Sequence, residues 1–409
     1  MKPARRANSD PPRQPARTRP PRWLLVLITI SGTMAMHMFL PAMPQAARSM
    51  GVGSAELQMT VTVYVVGLAC GQLLYGPLSD GLGRRPLLMA GLLVYTLAGV
   101  VAALAPDVNT LIGARLFQAL GGCAGLALGR AIVRDMAGPG EAVKDLALLN
   151  LMMTIGPGLA PILGSWLNAA FGWRSILMLL AGLGAITLLF TWRLLPETGQ
   201  PAGQVRMGAM LGDFRRLFRS PSFMGFAMGG GFVTASIYAF IASVPFIVVT
   251  ELHRPEHEVG LYLGVMVLGA ALGSGMLRYL VRRISVDRLL IGANLVSLSS
   301  SLALLLITLF STLTPILVFL LSFPLALGLG VASPATLTKG LGSDPKVYGS
   351  AAGLYGALQM AVAALGTLAL RIGDSPALAA GGVMTAAMLL GVGSNLLAMH
   401  HVRTAGARH

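Results

Sequence analysis

The chain has 409 residues, of which 55% are hydrophobic and 11% are charged, and its mean hydropathy is +0.73. Soluble domains carry about 25% charged residues, so this composition excludes a soluble globular protein. A helix crosses a bilayer with about 20 apolar residues. The length therefore leaves room for roughly a dozen membrane spans and for no large soluble domain.

The net charge of +15 and the two cysteines limit the partners that the chain is expected to use. Membrane proteins hold excess lysine and arginine on cytoplasmic loops, so the charge indicates membrane orientation rather than binding to nucleic acid. Cys70 and Cys123 both lie in apolar runs, which predicts neither a disulfide framework nor a metal site. The sequence also lacks a nucleophile with an adjacent base, so we expect no enzyme and no cofactor.

A tail rich in proline and arginine precedes twelve apolar runs. Residues 1–22 show no apolar period and are predicted to form a disordered, basic, cytoplasmic tail. The first apolar run resembles the core of a signal peptide, but similar runs follow it, so we predict a retained helix. The predicted spans are 23–43, 57–78, 87–105, 109–133, 143–170, 173–194, 222–249, 259–281, 287–310, 314–338, 347–370 and 376–400.

The basic residues between the spans predict the orientation of the chain. An even number of spans places both termini on the same side of the membrane. Twenty-three lysines and arginines then fall on the side of the termini, and four fall on the other side: Arg48, Arg174, Arg254 and Arg371. Because basic residues favour the cytoplasmic side, both termini are predicted to be cytoplasmic.

A polar connection in the middle of the chain divides the spans into two sets of six. It covers 196–220 and is predicted to be a cytoplasmic linker. The predicted fold is an all-α membrane protein with two pseudo-symmetric six-helix bundles, over 23–195 and 221–402, followed by a short cytoplasmic tail over 403–409. A weak echo between 76–88 and 275–290 falls at corresponding places in the two halves. Paired repeats of this kind are typical of transporters, whose substrate site lies between the repeats.

The loop between the second and third spans, GPLSDGLGRRP at 76–86, combines glycines with charges. Its glycines permit the backbone angles of a tight reversal, and Asp80 and Arg84 can form charged contacts that hold two helices together. The loop resembles the signature loop of the major facilitator superfamily. This resemblance implies a twelve-helix fold and an inner-face gating motif of Gly76, Asp80, Gly83, Arg84 and Arg85. The alternative is that the two arginines only anchor the loop in the cytoplasm.

The fourth span has one face of small and polar residues. At 100° per residue, Arg115, Gln118, Gly122, Gly125 and Gly129 fall on a single stripe. Small residues let helices approach closely in lipid, and an arginine inside the membrane marks a functional site by default. The alternative is an arginine that snorkels near the outer end of its helix.

Two spans resemble helices of the superfamily's proton-coupled drug antiporters. In the fourth span, RLFQALGGCAGLALGRAIVRD at 115–135, the resemblance implies that Arg134 and Asp135 join Arg84 in a charge network at the inner face. In the fifth span, GPGLAPILGSW at 156–166 resembles the motif that separates antiporters from importers, with Gly156, Pro157, Gly158, Pro161 and Gly164. Proline bends a membrane helix, so this motif predicts a kinked and tightly packed seam, with a merely irregular helix as the alternative.

These motifs, with FGWR at 171–174 and SVPFIV at 243–248, resemble the bicyclomycin and chloramphenicol resistance (Bcr/CflA) group. The resemblance extends from Trp23 to about Leu397. Members of that group are inner-membrane exporters that exchange protons for drugs or other small molecules. The resemblance therefore implies a monomeric transporter of the bacterial inner membrane, driven by a proton gradient.

The first span departs from that group at a position important for proton coupling. The group commonly carries an aspartate before a Met-aromatic-Leu-Pro stretch, and this sequence has His37 there. Every carboxylate is predicted in a tail, a loop or a helix end, so His37 is the only candidate proton carrier. An unperturbed histidine has a pKa of about 6.5, which suits this role. The alternative is a neutral His37 that hydrogen-bonds the substrate or a helix carbonyl without titrating.

The predicted substrate and proton residues are His37, Arg115 and Gln118. Together, His37 and Arg115 would make the cavity positive, so an anionic or zwitterionic small molecule is expected. The C-terminal wall is predicted to be apolar and aromatic, which suits varied ligands, although helix packing is the alternative role of each residue: Tyr238, Phe323, Tyr355 and Gln359. The expected function is drug export. Export of an endogenous metabolite such as a siderophore, import by the same fold and a transport-inactive sensor are the alternatives.

Overall fold

The computed structural model describes residues 20–136, 156, 158–199, 207–343, 348–372 and 375–406. Within these residues the regular structure is helical, and eleven helices are long and apolar enough to cross a membrane. A further helix covers 158–171, inside the predicted fifth span, and the beginning of that span lies outside the described residues. The prediction of an all-α membrane protein is confirmed.

The helices follow the predicted order of spans, with two shorter helices added. The first half contains α1 (Arg22–Phe39), α2 (Met43–Met50), α3 (Ser54–Leu82), α4 (Arg84–Ala103), α5 (Val108–Met136), α6 (158–171) and α7 (Trp173–Leu194). The second half contains α8 (Met207–Phe218), α9 (Pro221–Phe246), α10 (Val259–Leu280), α11 (Val286–Phe310), α12 (Pro315–Leu341), α13 (Tyr348–Ala369) and α14 (Pro376–Gly406). A 3₁₀ turn, Leu40–Ala42, joins α1 to α2, and a π-helical turn, Ile247–Glu251, extends α9.

The two added helices arise where buried side chains continue beyond the apolar runs. α2 prolongs the first span because Ala46 and Ala47 are small, buried and compatible with a helix, and it ends at Gly51, whose φ of 67° is left-handed. α8 lies in the predicted linker, where Leu217 is fully buried beside Phe223 of α9. Residues 1–19 of the predicted tail lie outside the described residues.

The spanning helices contact one another in two groups. In the first half α5 packs against α1, α3 and α4, and α4 packs against α7. In the second half α9 packs against α12, α13 and α14, and α12 packs against α10 and α11. The groups meet where α3 lies beside α13, and there Thr62 Oγ1 donates a hydrogen bond to Thr367 Oγ1 at 3.0 Å.

Polar loops close the ends of the helices outside the apolar region. Asp107 begins α5 by accepting hydrogen bonds from the backbone N–H and the hydroxyl of Thr110, both at 2.9 Å. These bonds stabilise the charged carboxylate and hold the pKa of Asp107 below its usual range.

The outward-facing side chains of the helices are exposed and apolar, as expected of a surface that faces lipid.

Candidate functional site

A cavity of about 190 Å³ lies between the two groups of helices. α1 contributes His37 to its wall, and α6 contributes Pro161. The other lining residues belong to α9, α10 and α12, and all of them are apolar: Ile237, Ile241, Leu263, Met266, Val267, Ala270, Ala326 and Leu329. In a transporter built from two repeats this interface is the expected substrate site. Among the described residues that line the cavity, His37 is the one with an ionisable side chain.

His37 is half-buried and is held by its own helix. Its Nδ1 lies 2.8 Å from the carbonyl oxygen of Thr33, one turn earlier in α1. This contact fixes one edge of the imidazole ring against the helix backbone. The ring therefore has one nitrogen bound to α1 and one nitrogen free for another partner.

Arg115 is buried inside the first group of helices, and only 1% of the residue is exposed. Its Nη1 donates to the carbonyl oxygen of Ala35 at 3.0 Å and to Oε1 of Gln118 at 2.7 Å. The guanidinium carbon lies 4.3 Å from the ring centroid of Tyr64 and 5.3 Å from that of Phe39, so cation–π contacts add to the hydrogen bonds. Arg115 does not line the cavity described above. α1, α5 and two aromatic rings hold the guanidinium inside the bundle, so Arg115 does not snorkel to water, and its Nε has no hydrogen-bond partner among the described residues.

The small residues of α5 bring that helix against α1. A Cβ atom at Gly122 would lie 2.9 Å from Cα of Gly32, and one at Gly125 would lie 3.0 Å from the carbonyl carbon of Ile28. Backbone meets backbone at these positions, so a larger side chain has no room. The close approach of the helices places Arg115 within reach of the carbonyl groups of α1.

The motif of α6 contributes both to the cavity and to close packing against α1. Pro161 lines the cavity. A Cβ atom at Gly164 would overlap the carbonyl oxygen of Met38 and would lie 2.9 Å from its carbonyl carbon. α6 therefore packs tightly on the segment of α1 that follows His37.

The beginning of the same motif lies near the second half of the chain. A Cβ atom at Gly158 would lie 2.8 Å from Cγ1 of Val267 in α10, which is a cavity residue. A Cβ atom at Gly156 would meet no heavy atom of the described residues within 4 Å, and Pro157 lies outside the described residues. Within this motif, Gly158 and Gly164 are thus the glycines at which a neighbouring helix leaves no room for a side chain.

Charged residues of α3, α4 and α5 meet at the predicted inner face. Arg84 is an ion-pair partner of Asp80 at 2.8 Å and of Asp135 at 3.2 Å, and its side chain is 12% exposed. Arg84 also donates to the hydroxyl of Ser79. The side chain of Arg134 lies outside the described residues. Arg84 thereby ties the beginning of α4 to the ends of α3 and α5.

The rest of the signature loop shapes the reversal from α3 to α4. Gly83 has a φ of 97°, which L side chains rarely adopt, and it separates the two helices. Arg85 donates from Nη2 to the carbonyl oxygen of Trp192 in α7 at 2.6 Å. Gly76 is exposed, with open space around it, and its carbonyl accepts from Ser79 at 2.8 Å. Arg85 therefore joins the loop to the end of the first bundle.

Glu197 completes this inner-face cluster, although it is not among the site residues predicted from the sequence. Its carboxylate accepts from the backbone N–H groups of Arg84 at 2.9 Å, Arg85 at 3.2 Å and Gly199 at 2.8 Å. The first N–H groups of a helix have no partner inside the helix and favour negative charge, so Glu197 stabilises the beginning of α4. The signal in the sequence was a lone acid just after the sixth span.

The second half has a corresponding cluster with the signs reversed. Asp287 at the beginning of α11 forms an ion pair with Lys339 at the end of α12, and Nη2 of Arg403 in α14 lies 3.9 Å from the same carboxylate. In the first half the cation, Arg84, begins the helix and the acids end its neighbours. Both halves therefore use charged contacts to join three helices at the end that carries the signature loop.

The two halves are joined at the opposite end by Glu256, which lies before α10. Its carboxylate forms an ion pair with Arg48 of α2 and accepts from Nδ2 of Asn168 in α6 at 2.8 Å. We call these three residues the outer contact. Because Arg48 and Asn168 belong to the first half and Glu256 to the second, the outer contact holds the two halves together at the predicted outer face.

Replacing Glu256 with glutamine is expected to weaken the outer contact, because the ion pair with Arg48 is lost while an oxygen remains for Asn168. Arg48 is 59% exposed in its side chain, and exposed pairs contribute about 0–1 kcal/mol, so the open population should rise by no more than about fivefold. Distances between spin labels at Leu104 and Ser311, measured by pulsed electron resonance, report this opening. Arg254→Gln, which breaks a pair inside the second half, is the control. Equal distance distributions for Glu256→Gln and the control would contradict the assignment.

The residues predicted for the C-terminal wall are not among the residues that line the cavity. Tyr355 is buried at 1% exposure and donates its hydroxyl hydrogen to Thr336 at 3.0 Å. Tyr238, Phe323 and Gln359 are half-buried. α9 and α12 do form this wall, but through aliphatic side chains at other positions. A role for the four residues in binding a substrate stays a prediction.

Known proteins with similar sequences and structures agree with this architecture. The chain is 28% identical over 375 residues to the uncharacterised transporter YdgK of Bacillus subtilis, covering 90% of this chain and 92% of the relative. It is 23% identical over 350 residues to a bicyclomycin resistance protein homolog of Haemophilus influenzae, covering 83% and 86%. The inward-facing, occupied structure of a bacterial homologue of the lysosomal transporter Spinster shares the fold, with a TM-score of 0.71, 13% identity and coverage of 94% and 96%. The family model of the major facilitator superfamily matches residues 25–367, and the chain therefore belongs to this superfamily of transporters.

Proposed function

We propose that this chain exports a small, drug-like molecule from the bacterial cytoplasm in exchange for protons, and that it lies in the inner membrane with both termini in the cytoplasm. The observation that carries the proposal is the position of His37 in the cavity between the two groups of helices. A proton-driven exporter needs a cavity group that changes its charge near neutral pH, and histidine is such a group. The similarity to a bicyclomycin resistance protein homolog supports export of a drug.

The other ionisable groups near α1 support His37 as the proton carrier. Tyr64 and Tyr95 donate to the carbonyl oxygens of Gly32 and Ser31, and Arg115 donates to Ala35. Tyr238 of α9 is half-buried beside the same core. Unperturbed tyrosine and arginine titrate near or above pH 10, far from neutral pH. Among these described groups, only histidine has an unperturbed pKa in the working range of a bacterial proton gradient, which supports His37 as the proton carrier.

Alternating access supplies the rest of the proposed cycle. The two six-helix groups rock about the cavity, so that it opens to one side of the membrane at a time. In this cycle the outer contact, which joins the two groups in the structure, closes the outer side until the groups rock apart. The inner-face clusters of Arg84 and Asp287 hold each group together as a rigid unit while the groups move.

Replacing His37 with asparagine is expected to abolish transport driven by a pH gradient, because the asparagine side chain does not gain or lose a proton near neutral pH. Bicyclomycin, or another substrate found by ligand stabilisation of the purified protein, is followed in everted vesicles with and without an imposed gradient. His37→Asp, which restores an ionisable group, is expected to recover the gradient dependence with its pH profile moved to lower pH. His257→Asn alters an exposed histidine outside the cavity and is the control.

The outcomes of this experiment separate the alternatives. Unchanged gradient dependence in His37→Asn would reject His37 as the coupling group. Movement of substrate out of everted vesicles rather than into them would indicate an importer. Saturable binding without movement would indicate a sensor. A siderophore that is transported in preference to bicyclomycin would point to an endogenous substrate.

A further inference from the structure

The hydrogen bond of His37 determines which of its nitrogens is available to the cavity. Nδ1 lies 2.8 Å from the carbonyl oxygen of Thr33. A carbonyl oxygen only accepts hydrogen bonds, so Nδ1 must carry the hydrogen. In the neutral ring Nε2 is then an acceptor without a hydrogen. The available nitrogen of His37 can therefore accept a hydrogen bond from a donor group.

The other described residues that line the cavity supply no side-chain donor for this nitrogen. The nine other lining residues carry aliphatic side chains, a methionine thioether or a proline ring, and none of these side chains has an N–H or O–H group. Arg115 is directed at Ala35, Gln118 and the ring of Tyr64 and is not a lining residue. His37 is half-buried, and a ligand that covers its Nε2 must donate a hydrogen bond to it, because an acceptor shut off from water without a partner is costly.

We propose that this cavity selects neutral, largely apolar molecules that carry one hydroxyl or amide N–H group, which donates to Nε2 of His37. This inference rests on the proposed function only in taking the cavity as the substrate site. The apolar walls of α9, α10 and α12 hold the body of the molecule, and His37 fixes its orientation.

Charged molecules fit the same cavity less well. A carboxylate would place an acceptor against the acceptor Nε2 and would lose its hydration among aliphatic side chains. An ammonium group would find no carboxylate among the lining residues. The structure therefore favours a neutral donor over the anionic or zwitterionic substrate that the sequence suggested, because that suggestion required Arg115 to face the cavity.

Three probes of similar shape test the inference: naphthol, which donates a hydrogen bond, methoxynaphthalene, which does not, and naphthoate, which is anionic at neutral pH. Binding to the detergent-purified full chain is measured as the concentration dependence of thermal stabilisation. Naphthol is expected to bind about tenfold more tightly than methoxynaphthalene, the factor for one net hydrogen bond. Naphthoate is expected to bind most weakly.

His37→Phe is the matched variant, because phenylalanine keeps a ring and has no acceptor. In this variant naphthol and methoxynaphthalene are expected to bind equally. A preference for naphthoate in the wild type, no binding of any probe, or a naphthol preference that persists in His37→Phe would overturn the inference. The order of the three probes on the wild type tests it even where the variant does not fold. Donor preference without gradient-driven transport would reject the export proposal alone, and transport without donor preference would reject this inference alone.

Discussion

Replacing Gly164 with alanine is expected to destabilise the first bundle strongly. The added Cβ atom would overlap the carbonyl oxygen of Met38 and lie 2.9 Å from its carbonyl carbon, and both belong to the backbone of α1. Backbone cannot move aside as a flexible side chain does, so we expect a cost of about 3 kcal/mol, at the upper end for overpacked cores. The melting temperature and the monodisperse yield of detergent-purified protein measure this loss.

Gly156 provides the control within the same motif. A Cβ atom at Gly156 meets no heavy atom of the described residues within 4 Å, so Gly156→Ala should leave the melting temperature and yield unchanged or slightly raised. Both substitutions add one methyl group to a helical glycine, and they differ in the backbone that lies opposite. Equal stability of the two variants would show that α6 does not approach α1 as closely as described.

Replacing Glu197 with alanine is expected to destabilise the inner face by about 2 kcal/mol, the order of magnitude for losing charge-assisted hydrogen bonds at a partly exposed site. Three backbone N–H groups, those of Arg84, Arg85 and Gly199, would lose their acceptor. Thermal unfolding in detergent measures the effect. Amide exchange at the beginning of α4 should also become faster, because the first turn of the helix is no longer held.

Glu197→Gln keeps the size of the side chain and one acceptor oxygen but removes the negative charge. Glutamine keeps one oxygen that can accept, so it should retain part of the stability that alanine loses. If the alanine and glutamine variants unfold at the same temperature as the wild type, Glu197 has no role in holding α4. If both lose stability equally, the negative charge rather than the number of acceptors is what matters.

The fold could be predicted from the sequence because the solvent dictates it. In lipid every backbone polar group needs a partner inside the segment, so each long apolar run had to be a helix. The stripe of small residues on α5 could also be predicted, since Gly122 and Gly125 repeat at helical spacing, and the structure places them against α1. The end of α2 at Met50 could not be predicted from the sequence, because Gln45, Arg48 and Ser49 interrupt the apolar run without interrupting the helix.

The contacts of the site could be predicted only in part. Helical spacing placed Arg115 and Gln118 together, and they form a hydrogen bond at 2.7 Å, but spacing did not determine that the guanidinium faces Ala35 rather than the cavity. Ile237 lines the cavity and Tyr238, the next residue, does not, because the rotation of α9 depends on its neighbours. Glu256 meets Arg48 across 208 positions of sequence, and no local pattern connects them.

A single histidine in an otherwise aliphatic cavity sets a limit on how strongly the proposed pump could work. With one proton entering for each neutral molecule that leaves, every turnover moves one net charge inward and is electrogenic. A membrane potential of 100 mV contributes about 2.3 kcal/mol per charge and one pH unit about 1.4 kcal/mol, which together support roughly a 500-fold concentration ratio of substrate. Collapsing the electrical gradient with valinomycin and potassium would then remove more of the driving force than removing one unit of pH difference.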